Sequence, residues 1–267
     1  MGKKYNIFIE GIPGSGKSTL LNTLASLLTD YNIFREGDIS PIELAWCSYM
    51  SEEQYNKALV DMVDYRNEIE AKTVKEGDYF ITPYTKIHAE NYEFYKYMEK
   101  HEIYAGRRDT LEFKNIIFQR FRRFNSYGNI FECSFFQNII EELMLFLMFS
   151  DEQIVNFYKE VISLIHISSF KLIRLVDSDI RTCIETIKRE RVNEKGEEEW
   201  YQSMLNYLAS SPYGKAHNIS GFEDMVTHFK RRINLENEVI KLLPDGCCVN
   251  VESKKYSISD ILRAFPG

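Results

Sequence analysis

Apolar residues fall along the chain in two alternating rhythms. Short runs rich in β-branched and aromatic residues at 5–10, 31–35, 79–87, 129–133, 171–176 and 247–251 predict strands. Between them lie stretches with helical spacing: 18–29 carries Leu20, Leu21, Leu24, Leu27 and Leu28, and 110–124 carries Phe113, Ile116, Ile117, Phe118, Phe121 and Phe124. Start signals accompany several of these helices. Ser40-Pro41-Ile42-Glu43 reads as a capping box with proline at the first helical position, so a helix is expected from Ser40. Ser51-Glu52-Glu53-Gln54 repeats the box and predicts a helix that ends near Gly77, Asp109-Thr110-Leu111-Glu112 opens another, and a strongly apolar helix is expected from about Phe136. Strands alternating with helices predict a parallel sheet covered on both faces.

Composition narrows the class without changing that picture. With 267 residues, 44% hydrophobic and 14% aromatic, the chain can bury a core without disulfides, which excludes disordered, collagenous and coiled-coil readings. It is expected to form one domain over 1–267 with an insertion at about 77–128. The net charge of -7 disfavours nonspecific binding to nucleic acid or an anionic membrane. Cys47, Cys133, Cys183, Cys247 and Cys248 lack zinc-ligand spacing and read as buried small hydrophobes of a reducing compartment. No apolar run is long enough to span a bilayer, so the cytoplasm is the default location. Met1-Gly2 opens like an acylation site, but Asn6 stands where that motif needs Ser or Thr.

Candidate chemistry begins at residue 11. Gly11-Ile12-Pro13-Gly14-Ser15-Gly16-Lys17-Ser18 matches G-x-x-x-x-G-K-[ST] between a predicted strand and a predicted helix, the context that a phosphate-binding loop requires. Glycines let successive N–H groups surround a phosphate, the helix N-terminus adds positive charge, Lys17 reaches the β/γ oxygens and Ser18 can ligate Mg²⁺. Gly11, Pro13, Gly14, Ser15, Gly16, Lys17, Ser18 and Thr19 are therefore the expected nucleotide-binding residues. ATP and Mg²⁺ are the expected ligands. The fold expected around such a loop is the three-layer α/β fold of P-loop NTPases, with a central, mostly parallel sheet, helices on both faces and a helical lid at about 181–200.

Three further groups bear on the reaction. Glu36 and Asp38 follow the second strand, at the edge where open α/β sheets bind ligands; Glu36 is the preferred proton acceptor and Asp38 the alternate. Glu132 ends another strand, where it can hold Mg²⁺ or cap a helix. Arg181, Lys188 and Arg189 lie near one helix face, with Arg191 just beyond. They read as mobile lid cations or as a solvated face interlaced with Glu185, Glu190 and Glu194. Arg120, Arg122 and Arg123 can contact a substrate phosphate but are expected on a solvated face, while Trp46, Tyr49 and Tyr84 can stack on a base or pack in a core.

Taken together, the phosphate loop, the Glu after the second strand, Glu132-x-Ser134 and Arg189-x-Arg191-x-x-Glu194 resemble the deoxynucleoside kinases, within the wider nucleoside and nucleotide kinase group. The resemblance implies Glu36 as base, Glu132 at the metal site, Arg189 and Arg191 as phosphate clamps, and Glu194 on a sugar hydroxyl. Trp46 and Tyr84, with Glu36 and Asp38, are the further residues expected on the acceptor side. Cys133 stands where that family has an arginine, Glu36-Gly37 replaces Glu-Pro, and 77–128 has no counterpart. The expected activity is transfer of the γ-phosphoryl group of ATP to a nucleoside or nucleotide, with another small alcohol or a noncatalytic ATP-binding role as alternatives. The expected partner is a small-molecule acceptor, with no nucleic acid polymer and no membrane; homodimerisation is left open.

Overall fold

The computed structural model describes residues 4–263, so Met1-Gly2 lies outside them. In chain order the elements are β1 (Asn6–Gly11), α1 (Lys17–Leu27), β2 (Asn32–Phe34), β3 (Ser48–Ser51), α2 (Glu52–Asp61), α3 (Arg66–Lys72), β4 (Val74–Glu76), β5 (Tyr79–Thr82), α4 (Tyr92–Glu99) and α5 (Thr110–Arg123). They continue with β6 (Asn129–Glu132), α6 (Gln137–Glu141), α7 (Asp151–Leu164), β7 (Phe170–Val176), α8 (Ile180–Glu190), α9 (Glu199–Ser210), α10 (Pro212–His217), α11 (Phe222–Ile240), β8 (Cys248–Glu252) and α12 (Ile258–Arg263). The chain packs as two compact units, one of residues 1–33 and 125–267, the other of residues 34–124. The segment expected as an insertion thus falls largely within a unit that begins at Phe34.

The first unit is α/β, built on a five-stranded sheet in the order β2-β6-β1-β7-β8, in which β6, β1, β7 and β8 run parallel. Every residue of β1 is buried, as a central parallel strand requires. Its alternation sends Ile7 and Ile9 against Leu20, Leu21 and Leu24 of α1. Phe8 between them has its ring centroid 4.8 Å from those of Phe131 and Phe170. The apolar helix after β6 forms as α6 and then widens into a π turn over Glu142–Phe146.

The second unit carries an antiparallel sheet, β3-β5-β4, over a core that includes Met50, Leu59, Ile69, Ile87, Phe94 and Met98. Here several sequence expectations change. No helix starts at Ser40: its hydroxyl accepts from the N–H groups of Ile42 and Glu43, but the chain continues as irregular turns. The reason is tertiary. Arg120 takes the carbonyls of Ser40 and Ile42, and Glu43 turns its carboxylate onto the N–H of Ala45 at 2.5 Å instead of closing the box. The helix from Ser51 begins with its full capping box but breaks between α2 and α3. It ends at Thr73 because Val74–Glu76 pairs with β5 through the Gly77-Asp78 turn. The strand expected over 79–87 stops at Thr82, before Pro83 and a single 3₁₀ turn. Arg120 is not on a solvated face. It is 6% exposed and also pairs with Glu76, whereas Arg122 and Arg123 are exposed. Cys47, Cys133 and Cys247 are buried as expected, Cys183 and Cys248 only half-buried, and all five are free. Among the described residues no helix is long and apolar enough to cross a membrane.

Candidate functional site

In the first unit, β1 ends at Gly11 and α1 begins at Lys17, so the G-x-x-x-x-G-K-S segment runs from the last residue of the central strand through the turn into the first two residues of the helix. Lys17 folds back over that turn, its Nζ donating to the carbonyl oxygens of Gly11 at 2.9 Å and Ile12 at 3.1 Å. The first-turn N–H groups of α1 have no side-chain cap, and Gly16 holds the cap position. Ser18 and Thr19 are exposed. Gly14 has φ +76 and lies so close to Ile187 of α8 that a Cβ there would sit 2.2 Å from that side chain. Ser15 is buried, and its carbonyl accepts from Ser253 Oγ at 2.8 Å. Pro13 contributes its carbonyl to the thiol of Cys183 at 3.8 Å, so α8 rests on the loop at two points.

Glu132, the last residue of β6, accepts a hydrogen bond from Ser18 Oγ at 2.5 Å. Cys133 takes a left-handed backbone, φ +59, and its N–H donates to Ile9 at 3.1 Å, which turns the chain sharply off the sheet just past the carboxylate. A hydroxyl and a carboxylate in contact form a hard-oxygen pair of the kind Mg²⁺ uses together with substrate phosphates. Among the described residues no group of three or more His, Cys, Asp or Glu side chains is arranged to hold a metal.

The segment expected as a lid is a helical hairpin of α8 and α9. Its tip is fixed by Asn193, whose side chain accepts from the N–H groups of Lys195 and Glu197, each at 2.9 Å. The cations divide. Arg181 pairs with Glu223 at 2.5 Å, and Lys188 pairs with Glu198 and lies over Tyr201. Arg191 lies 5.8 Å from the ring centroid of Trp200. Arg189 is exposed and makes no ion pair among the described residues, and Glu194 is exposed at the tip.

In the second unit, Trp46 adopts φ +61, a costly conformation for a bulky residue, and its indole N–H donates to Glu36 Oε1 at 3.3 Å. Asp38 is committed on both oxygens, one accepting from the Arg35 N–H at 2.6 Å and the other paired with Lys86. Tyr84 belongs to the core, its hydroxyl donating to Glu102. Two carboxylates that sequence reasoning missed lie in this unit. Burial, with Glu36 nearby, pushes Glu43 up to about 8, and burial pushes Glu102 up to about 7. Glu10, Arg120 and Arg232 were missed as well. Their signal is charge at a position that an otherwise apolar strand or helix face must bury: Glu10 within β1, Arg120 three residues after Ile117 in α5, and Arg232 three residues after Phe229 in α11.

No family model matches the chain, and no curated protein matches it in sequence.

Proposed function

We propose that the chain is an ATP-dependent phosphotransferase of the P-loop NTPase type that moves the γ-phosphoryl group of ATP to a small hydroxyl acceptor, a nucleoside or nucleotide. The observation that carries this reading is the complete phosphate-loop motif at a strand-to-helix turn whose Ser18 touches the strand-end acid Glu132. Backbone N–H groups of the Gly11–Ser18 turn and the N-terminus of α1 suit a polyphosphate, and Lys17 is positioned to exchange its two carbonyl partners for phosphate oxygens. Ser18 and Glu132 would hold Mg²⁺, which supplies charge neutralisation on the phosphate oxygens when bound. Arg189, and Arg191 once it leaves Trp200, are the cations for charge that grows as the phosphoryl group departs.

Glu36 is assigned the proton of the acceptor hydroxyl. Asp38 is the weaker candidate because a backbone N–H and Lys86 already occupy its oxygens. Trp46 and Glu194 are assigned to acceptor contacts. The test is an ADP-release screen over nucleosides, nucleoside monophosphates, sugars and aminoglycosides. Release that depends on a nucleoside or nucleotide supports the reading; release with sugars or aminoglycosides moves the acceptor class, and ATP binding without release under any acceptor replaces the enzyme by a nucleotide-binding regulator.

A further inference from the structure

Behind the Gly11–Ser18 turn the first unit buries a set of charges that the proposed reaction does not use. Glu10, Glu141, Arg174, His228, Arg232 and Glu236 are all buried, Arg232 to 1% exposure. Arg232 donates Nε to Glu236 at 3.0 Å, one Nη to Glu141 at 3.2 Å and the other to the carbonyl oxygen of Gly11 at 3.4 Å. That same carbonyl accepts Lys17 Nζ at 2.9 Å. One peptide oxygen is thus shared between the loop lysine and a guanidinium that two carboxylates hold in place. One residue earlier in β1, Glu10 clamps the start of α6: its Oε1 accepts from the N–H groups of Phe135 at 2.7 Å and Phe136 at 2.9 Å, and its Oε2 from Gln137 at 3.3 Å. These N–H groups follow directly on the Glu132-Cys133-Ser134 turn.

We propose that Arg232 and Glu10 are positioning residues for the phosphate loop, Arg232 acting on Lys17 through the Gly11 carbonyl and Glu10 on Glu132 through the backbone at 135–137, and that the buried cluster exchanges a proton as polyphosphate binds. The inference rests on the phosphotransferase reading above. Three carboxylates here face two guanidiniums and one imidazole, so the cluster is neutral only with one further proton. His228 Nε2 lies 2.9 Å from Glu141, and its Nδ1 is buried without a hydrogen-bond partner among the described residues. Arg174 meets Glu236 at 3.6 Å and Asn237 at 2.7 Å. Burial pushes Glu10 up to about 7 against the pull of the Phe136 and Phe135 N–H groups and Arg232. The remaining titratable group near Glu10 is Tyr158, held far above its usual range by burial, with its hydroxyl on the Phe135 carbonyl.

The sign follows from linkage. A polyphosphate on the other side of Gly11 favours the protonated form of Glu10, and protonated Glu10 favours the polyphosphate. Affinity for MgATP is therefore highest below the titration of Glu10 and falls as pH rises through it. The experiment is calorimetric titration of the full chain with MgATP from about pH 6 to about 8.5, in two buffers of different ionisation enthalpy. The parent is compared with Glu10→Gln, which keeps a carbonyl oxygen for the N–H groups but has no proton to gain. Over that range the parent Kd is expected to rise about tenfold more than that of Glu10→Gln, and only the parent takes up a proton beyond the share of ATP itself. Arg232→Lys, which keeps the charge and loses the fork, is expected to raise KM for ATP about tenfold. If it does not fold, Arg232→Met combined with Glu141→Gln removes one charge of each sign and carries the same expectation. Identical pH profiles in parent and Glu10→Gln, or an unchanged KM in the folded Arg232 variant, overturn the inference if Lys17→Ala still abolishes ATP binding. Retention of ATP affinity by Lys17→Ala overturns the phosphotransferase reading instead.

Discussion

Two loops of this chain follow strands of the five-stranded sheet and carry a sequence signal for a helix, yet only one of them delivers it. After β1 the chain turns through Gly11–Gly16 and enters α1 at once, because the Leu20, Leu21 and Leu24 face of α1 has a buried strand to cover. After β2, Ser40-Pro41-Ile42-Glu43 offers equally good capping residues, but the carbonyls that a helix would need are bound by Arg120. The contrast shows what a cap can do. It is worth about 1 kcal/mol, and a buried guanidinium whose Nε and one Nη would otherwise lack acceptors outweighs it.

The loops differ equally in their charged neighbours. The first is overlain by α8, which brings Ile187 against Gly14 and carries Arg189, exposed and without an ion pair among the described residues. The second has carboxylates around it, Glu36, Asp38 and buried Glu43. In the proposed reaction the first loop manages phosphate charge and the second the acceptor proton, and each assignment can be broken separately. Arg189→Ala is expected to lower acceptor-dependent turnover by about 10³-fold with little change in ATP affinity or melting temperature, since the side chain supports nothing else. Turnover within about threefold of the parent makes α8 an ordinary solvated helix.

Glu36→Gln is expected to cost about 10²-fold in turnover, and Asp38→Asn much less. The reverse order would move the base to Asp38. Stability sharpens the comparison further. Gly14→Ala combines a left-handed φ with a 2.2 Å clash against Ile187, whereas Gly37→Ala, at φ +86, meets nothing closer than Thr85 Oγ1 at 3.5 Å. Denaturant titration should show a loss of about 3 kcal/mol for the first and about 1 kcal/mol for the second. Equal losses would mean that α8 does not press on the loop.

The smallest effect concerns pH. Glu43 binds its proton more tightly in the folded chain, up to about 8, than an ordinary carboxyl does in the unfolded chain. The folded protein therefore holds this proton across that window, and the stability that Glu43 contributes is fully present below the ordinary carboxyl range and is lost as pH rises towards 8. Glu43→Gln should flatten this decline, read as melting temperature against pH; an unchanged slope would assign it to Glu10 and Glu102, which burial also raises, each to about 7.

What the sequence made legible follows the same division. The parallel sheet, α1, the capped start of α5 and the contact-bearing positions Lys17, Ser18 and Glu132 are readable because local periodicity and a contiguous motif determine them. The break between α2 and α3, the lost helix at Ser40, the antiparallel sheet β3-β5-β4 and the burial of Arg120 and Arg232 are not, because each depends on a partner distant in the chain. Arg120 shows this most plainly: its neighbours Arg122 and Arg123 are solvated as their charge suggests, and only its helical phase against Ser40 and Ile42 sets it apart.

In the proposed reaction the Gly11–Ser18 turn holds the phosphates of a nucleoside triphosphate. Calorimetric titration of MgATP into the full chain and into Lys17→Ala tests it most directly. Saturable one-to-one binding by the parent, weakened by about 10²-fold or more in the variant with an unchanged far-UV spectrum, is the predicted result. Absence of binding to the parent, or equal affinity in parent and variant, would contradict it.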